Sequence, residues 1–101
     1  MEQGTGHETL VLQQMLDLRS APELQRMLLA ALHTQRPITI DASAVSRMST
    51  AALQLIIAFL AATGAKGTRV VISGVTASFS SAFEALDLGH LIKSADRGIV
   101  A

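Results

Sequence analysis

Ser43-Ala-Val-Ser-Arg-Met-Ser-Thr-Ala-Ala-Leu-Gln-Leu-Ile-Ile-Ala-Phe-Leu-Ala-Ala-Thr63 decides the reading of this 101-residue chain. A serine-containing loop runs into an apolar stretch in which, from Ala51 to Ala62, only Gln54 is polar. The spacing predicts a helix from about Ser49 to Thr63, with Gly64 as the left-handed residue that ends it. Before the loop, Pro37-Ile-Thr-Ile-Asp41 reads as a strand with Pro at its first position, where a missing N–H is tolerated. After the helix come a turn at Lys66-Gly-Thr and a strand at Arg69-Val-Val-Ile-Ser73. The apolar triplet of that strand suggests burial on both faces, as in a parallel sheet. Strand, helix and strand form one β-α-β unit, whose crossover is expected to be right-handed.

Working outward, Thr9 to Leu16 contains the short apolar run Leu10-Val-Leu12 and is read as a strand. Ser20-Ala-Pro-Glu23 reads as a helix start, with Ser20 as cap, Glu23 completing a capping box and Pro22 in the first turn. Leu24, Met27, Leu28, Ala31 and Leu32 then share one face, and the helix is expected to end near Thr34. Gly74-Val-Thr-Ala leads to a third helix, with Ser78 as its expected cap and Phe79, Ala82, Phe83 and Leu86 as its buried face. Gly89 interrupts the chain after that helix, and His90 to Lys93 is either a helical turn or a short final strand. The expectation is one α/β domain over residues 9–97: a small mixed, mostly parallel β-sheet with helices packed on it. Residues 1–8 and 98–101 are read as tails.

Composition narrows the function. Eight basic and eight acidic residues cancel, with no basic run, and three Phe are the only aromatic residues. Neither a phosphate-tracking patch nor a stacking platform for nucleic acid is visible. The absence of Cys excludes disulfides and thiolate chemistry, and is compatible with a reducing compartment. The N-terminus has no basic region followed by an apolar one, as a secretory signal would. The apolar helix is too short to span a bilayer. A cytoplasmic protein, not embedded in a membrane, is expected. His7, His33 and His90 sit on unrelated segments, so no metal site is expected. No cofactor loop and no catalytic set is legible, and an enzyme is not expected.

In open α/β sheets, sites lie beyond the carboxyl ends of the strands. Here that edge holds Asp41, Ala42, Ser43, Ser49 and Thr50, with Ser73 and Gly74 on the neighbouring strand. A hydroxyl at the start of the central helix has two readings. It caps the helix by accepting from a backbone N–H, worth about 1 kcal/mol. Or it accepts a phosphoryl group, whose roughly −1.5 to −2 charges a helix N-terminus tolerates.

Ile38-Thr-Ile-Asp-Ala-Ser-Ala-Val-Ser-Arg-Met-Ser-Thr-Ala-Ala-Leu-Gln-Leu-Ile resembles the signature of STAS domains, the family of anti-sigma factor antagonists. Asp41 matches the family's strand-end Asp, Val45 the apolar loop position, and Met48 the residue before the motif. Ser49 stands where the family usually has an acid, Thr50 at the phosphoacceptor hydroxyl, and Ala52 where Gly is usual. Leu16-Asp-Leu-Arg-Ser-Ala-Pro-Glu-Leu, Gly67-Thr-Arg-Val-Val-Ile-Ser and Phe83-Glu-Ala-Leu-Asp-Leu-Gly-His-Leu-Ile are similar to flanking family segments, so the match spans roughly residues 9 to 94. The resemblance implies a regulatory interaction module without enzymatic activity. Its phosphoacceptor candidates are Thr50 and Ser49, and its partner-binding residues are Asp41, Ser43, Arg47, Met48, Ser49 and Thr50. The partner is expected to be an anti-sigma factor or a histidine-kinase-like ATPase. The alternative is constitutive docking in a lipid-transporter-like or chemotaxis-type assembly, with Thr50 as helix cap only. Arg47 has a bland reading too, as a solvated loop residue.

The central helix carries a separate question, because a helix on one sheet face should show a polar side. Either its alanines are exposed filler flanked by neighbouring segments, or residues among Leu55, Ile56, Phe59 and Leu60 face a partner or a second copy.

Overall fold

A computed structural model describes residues 8–89. Three strands, β1 (Glu8–Val11), β3 (Ile38–Asp41) and β5 (Val70–Ser73), form one sheet in the order β1-β3-β5. Two shorter strands, β2 (Met15–Leu16) and β4 (Arg47–Met48), pair separately. The helices are α1 (Ala21–Thr34), α2 (Thr50–Lys66) and α3 (Ala77–Glu84). Every pairing among the described residues is parallel, with Leu10 opposite Ile40 and Ile40 opposite Ile72. The α/β class and the β-α-β unit are as expected.

Alternation explains the sheet. Leu10, Ile38, Ile40, Val70 and Ile72 are buried, while their neighbours Thr9, Thr39, Val71 and Ser73 are less so. One face therefore carries the core, and burial of β5 on both faces does not hold: Val71 and Ser73 are only half-buried. Against the buried face α2 lays Ala52, Leu53, Ile56, Phe59 and Thr63. The Thr63 hydroxyl reaches back to the carbonyls of Phe59 and Leu60, both at 3.0 Å, so this buried polar group is satisfied.

Helix α1 packs along α2, and α3 also touches it. The stripe of α2 left outward is Gln54, Ala58, Ala61 and Ala65. Exposed methyls cost little, so the uniform apolarity of α2 is explained by flanking helices and alanine filler. An apolar groove of about 230 Å³ remains along the α1–α2 seam, between Leu28, Leu29 and Leu32 on one side and Leu55, Phe59 and Ala62 on the other. No helix among the described residues is long and apolar enough to cross a membrane.

Several boundaries differ from expectation. The strand expected over Thr9–Leu16 splits, because the amide of Leu12 bonds to the Asp41 carbonyl and the chain then leaves the sheet through exposed Gln13 and Gln14. The Ser20 cap and its box with Glu23 are not formed. Ser20 has helical φ and ψ, and its hydroxyl turns back to the Asp17 carbonyl, while Asp17 Oδ1 accepts from the amides of Arg19 and Ser20. Glu23 pairs instead with Arg26 on the exposed surface. Helix α2 runs a turn beyond Thr63, through Gly64 to Lys66. Gly67, at φ 73°, is the left-handed terminus, and its amide bonds to the Gly64 carbonyl. The cap of α3 is Thr76 rather than Ser78. Leu86 lies past the end of α3 and is half exposed, because the turn with Asp87 at positive φ carries it away from the buried face. His90 to Lys93 lies outside the described residues.

Phe79 and Phe83 are fully buried and stack at 5.2 Å. Phe83→Ala is expected to cost about 3–5 kcal/mol, the usual range for emptying an aromatic core site. Ala61→Ser, on the outward stripe of α2, is expected to stay within about 0.5 kcal/mol of wild type. Urea unfolding of the two variants beside the wild-type protein measures both.

Candidate functional site

The site is built from the carboxyl end of β3 onward. Asp41 is the last residue of that strand, and its Oδ1 accepts from both the hydroxyl (2.6 Å) and the amide (3.0 Å) of Ser43. The hydroxyl bond, with the amide bond second, holds the Asp41 carboxyl below the usual carboxylate range. A depressed carboxylate favours the fold above its unfolded pKa, and that contribution is lost as pH falls through the folded value. The same turn brings Ser43 against Gly74. Gly74 sits at φ 66°, and a Cβ there would lie 2.6 Å from Ser43 Cβ, so this position admits no side chain without displacement.

Val45 then plugs into the core, 2% exposed, and makes the loop turn over it. Its carbonyl accepts from the Thr76 hydroxyl at 2.7 Å. Beyond it, the amide and hydroxyl of Ser46 and the amide of Arg47 converge on one carbonyl, that of Gln14, at 2.8, 3.2 and 3.3 Å. The amide of Ser49 bonds to the Leu16 carbonyl at 2.7 Å. The region read as plain loop from Ala42 to Met48 thus contains β4, fastened to β2.

Ser49 and Thr50 divide the two readings of the helix-start hydroxyl. Ser49 has extended backbone angles, is partly buried, and its Oγ accepts from the Ala52 amide at 3.2 Å. It is the N-cap. Thr50 is the first helical residue and is exposed, and its hydroxyl makes no side-chain hydrogen bond among the described residues. Arg47 is exposed and Met48 half-buried against the core.

All six expected site residues therefore lie on one continuous rim, from the end of β3 to the start of α2. Direct contacts join Asp41 to Ser43. Gln14, Leu16 and Thr76, which hold this rim, were not expected. Two-residue strands have no periodicity to detect, and Thr76 was legible only as one of several hydroxyls before Phe79. Among the described residues no group of three or more His, Cys, Asp or Glu could hold a metal ion.

A family model described as "Mlab, STAS domain" matches residues 1–93. The chain belongs to the STAS domain family. A solved structure, that of a candidate anti-sigma factor antagonist from Thermotoga maritima, superposes on this STAS domain with a TM-score of 0.68. The match covers 83% of this chain and 75% of that one at 13% identity, which supports a shared fold and nothing finer. No curated protein sequence matches this chain.

Ser43→Ala removes the hydroxyl that lowers the Asp41 pKa, so the Asp41 carboxyl is expected to titrate closer to the ordinary range. Carboxyl-carbon chemical shifts followed against pH report it. Gly74→Ala combines positive-φ strain with the Ser43 clash and is expected to destabilise by about 1–3 kcal/mol in the same denaturation assay.

Proposed function

We propose that this STAS domain is a regulatory docking module, switched by phosphorylation at Thr50. The observation that carries the reading is the division of labour at the start of α2. Ser49 is committed to capping, while the exposed Thr50 hydroxyl beside it has no side-chain bond among the described residues. In the phosphorylated form the Thr50 oxygen bonds to the phosphorus transferred from ATP. The bond from that phosphorus to the β-phosphate oxygen breaks, ADP leaves, and the hydroxyl proton passes to a base of the kinase. The added charge sits at the positive end of α2, whose first turn carries no acidic residue, so the fold accommodates it. What changes is the docking rim: Asp41, Ser43, Arg47, Met48 and Ser49 acquire a dianionic neighbour.

The partner implied by this reading is an anti-sigma factor or a histidine-kinase-like ATPase, met in the cytoplasm. The domain itself acts by binding rather than catalysis. A second reading has its own observation. Ser49 replaces the acid usual in the family, and with no acid in the first turn of α2 nothing beside Thr50 marks it for a kinase. There the same rim docks constitutively in a transporter-like or chemotaxis-type assembly. Pairing of two copies along α2 would be a further, independent association.

Incubation with the cognate kinase and ATP, read by intact and peptide mass spectrometry, is expected to add one phosphate at Thr50 and none to Thr50→Ala with Ser49 intact. Transfer that survives in Thr50→Ala rejects the assignment. Thr50→Glu is expected to keep stability within about 1 kcal/mol of wild type while abolishing partner binding. Unchanged binding selects the constitutive reading.

A further inference from the structure

The rim reaches the rest of the fold through its two ends. Its second half hangs on β2, through the Gln14 and Leu16 carbonyls. Its first half hangs on the connection between β5 and α3, and there one side chain has two tasks. Thr76 Oγ1 accepts from the Phe79 amide at 3.2 Å, which caps α3. The same hydroxyl donates its one proton to the Val45 carbonyl at 2.7 Å, across 31 residues of sequence. A hydroxyl has one proton to give and lone pairs to accept with, so both tasks are performed at once by this group. The Val45 side chain is buried, and the loop turns over it, the Val45 amide returning to the Ala42 carbonyl at 3.1 Å.

We infer that Thr76 is a positioning residue for the docking rim: its hydroxyl ties the first turn of α3 to the loop 42–48 and thereby sets where α2 begins. The tie deepens the docking reading, on which its functional meaning rests, because a rim held this way presents Asp41 to Thr50 as one surface. Helix α3 and the rim share one hydroxyl, which accepts from the Phe79 amide and donates to the Val45 carbonyl, so displacement of either strains a bond to the same side chain. The neighbouring Gly74–Ser43 contact closes the gap on the other side of this connection. Together they leave the loop little independent freedom relative to β5.

Three variants separate tethering from capping. Thr76→Ser keeps both functions. Thr76→Asp keeps a good cap acceptor but, ionised, has no proton for the Val45 carbonyl. Thr76→Val keeps neither. Amide hydrogen exchange by NMR, on the protein alone, is the readout. In Thr76→Asp the amides of Val45 and Ser46 are expected to exchange roughly tenfold faster than in wild type, as for the loss of one hydrogen bond. Phe79 and Ser80 are expected to stay protected. Thr76→Ser should restore wild-type rates at all four, and Thr76→Val should accelerate all four. Loop rates in Thr76→Asp equal to wild type would make Thr76 a helix cap only and overturn the inference. Should Thr76→Val fail to fold, the Ser and Asp variants still decide. No partner or kinase enters this measurement, so its outcome is independent of whether Thr50 is phosphorylated.

Discussion

Two parallel neighbours cannot be joined by a tight turn. Once β3 and β5 pair in parallel, the chain must leave the carboxyl end of β3, return along the length of the sheet, and enter β5 from the other end. Helix α2 is that return, and its 17 residues cover the distance with room to pack. The same constraint puts the start of α2 at the edge where both strands end. The rim from Asp41 to Thr50 is therefore a product of topology before it is a product of any particular side chain.

Side chains then convert an edge into a defined surface. A seven-residue connection such as 42–48 has many backbone donors and acceptors, and a loop of that kind needs partners for them. Here the partners come from both sides: Gln14 and Leu16 offer carbonyls, Ser73 offers another to Ala42, and Thr76 offers a proton. Val45 supplies the apolar anchor that holds the middle down. Asp41 and Ser43 settle their own turn internally. Within this frame Thr50 differs from the serines around it. Ser43, Ser46 and Ser49 each spend a hydroxyl on structure, and among the described residues the Thr50 hydroxyl bonds to none.

Much of this was legible in the sequence, for identifiable reasons. The alternation of Ile38-Thr-Ile40, the apolar run after Thr50 and the apolar triplet Val70-Val-Ile72 read directly as strand, helix and strand. The rim followed from that unit, because the edge rule needs only the order of elements. Local chemistry was less legible where several residues competed for one role. Ser20 had the right spacing for a cap, yet Asp17 made the turn and drew the serine backwards. Gly64 had the right composition to end α2, yet glycine inside a helix costs only about 1 kcal/mol, and packing carried the helix on to Gly67. Ser78 and Thr76 both precede Phe79; Thr76 has the cap's extended backbone and also reaches the carbonyl of Val45, a partner far away in sequence. Strands β2 and β4 left no pattern at all, being two residues each.

The separation in sequence of the rim's supports has a consequence for when the surface exists. The Ser46–Gln14 bond spans 32 residues, and the Thr76–Val45 bond spans 31 in the other direction. Each closes a loop, at an entropic cost that the pairing of sequence-distant strands helps to offset. A nascent or partly unfolded chain can display a threonine in an unstructured segment, but not the rim around it. On the docking reading proposed above, a partner that recognises the whole rim would discriminate completed domains from incomplete ones, and recognition would double as proofreading of the fold.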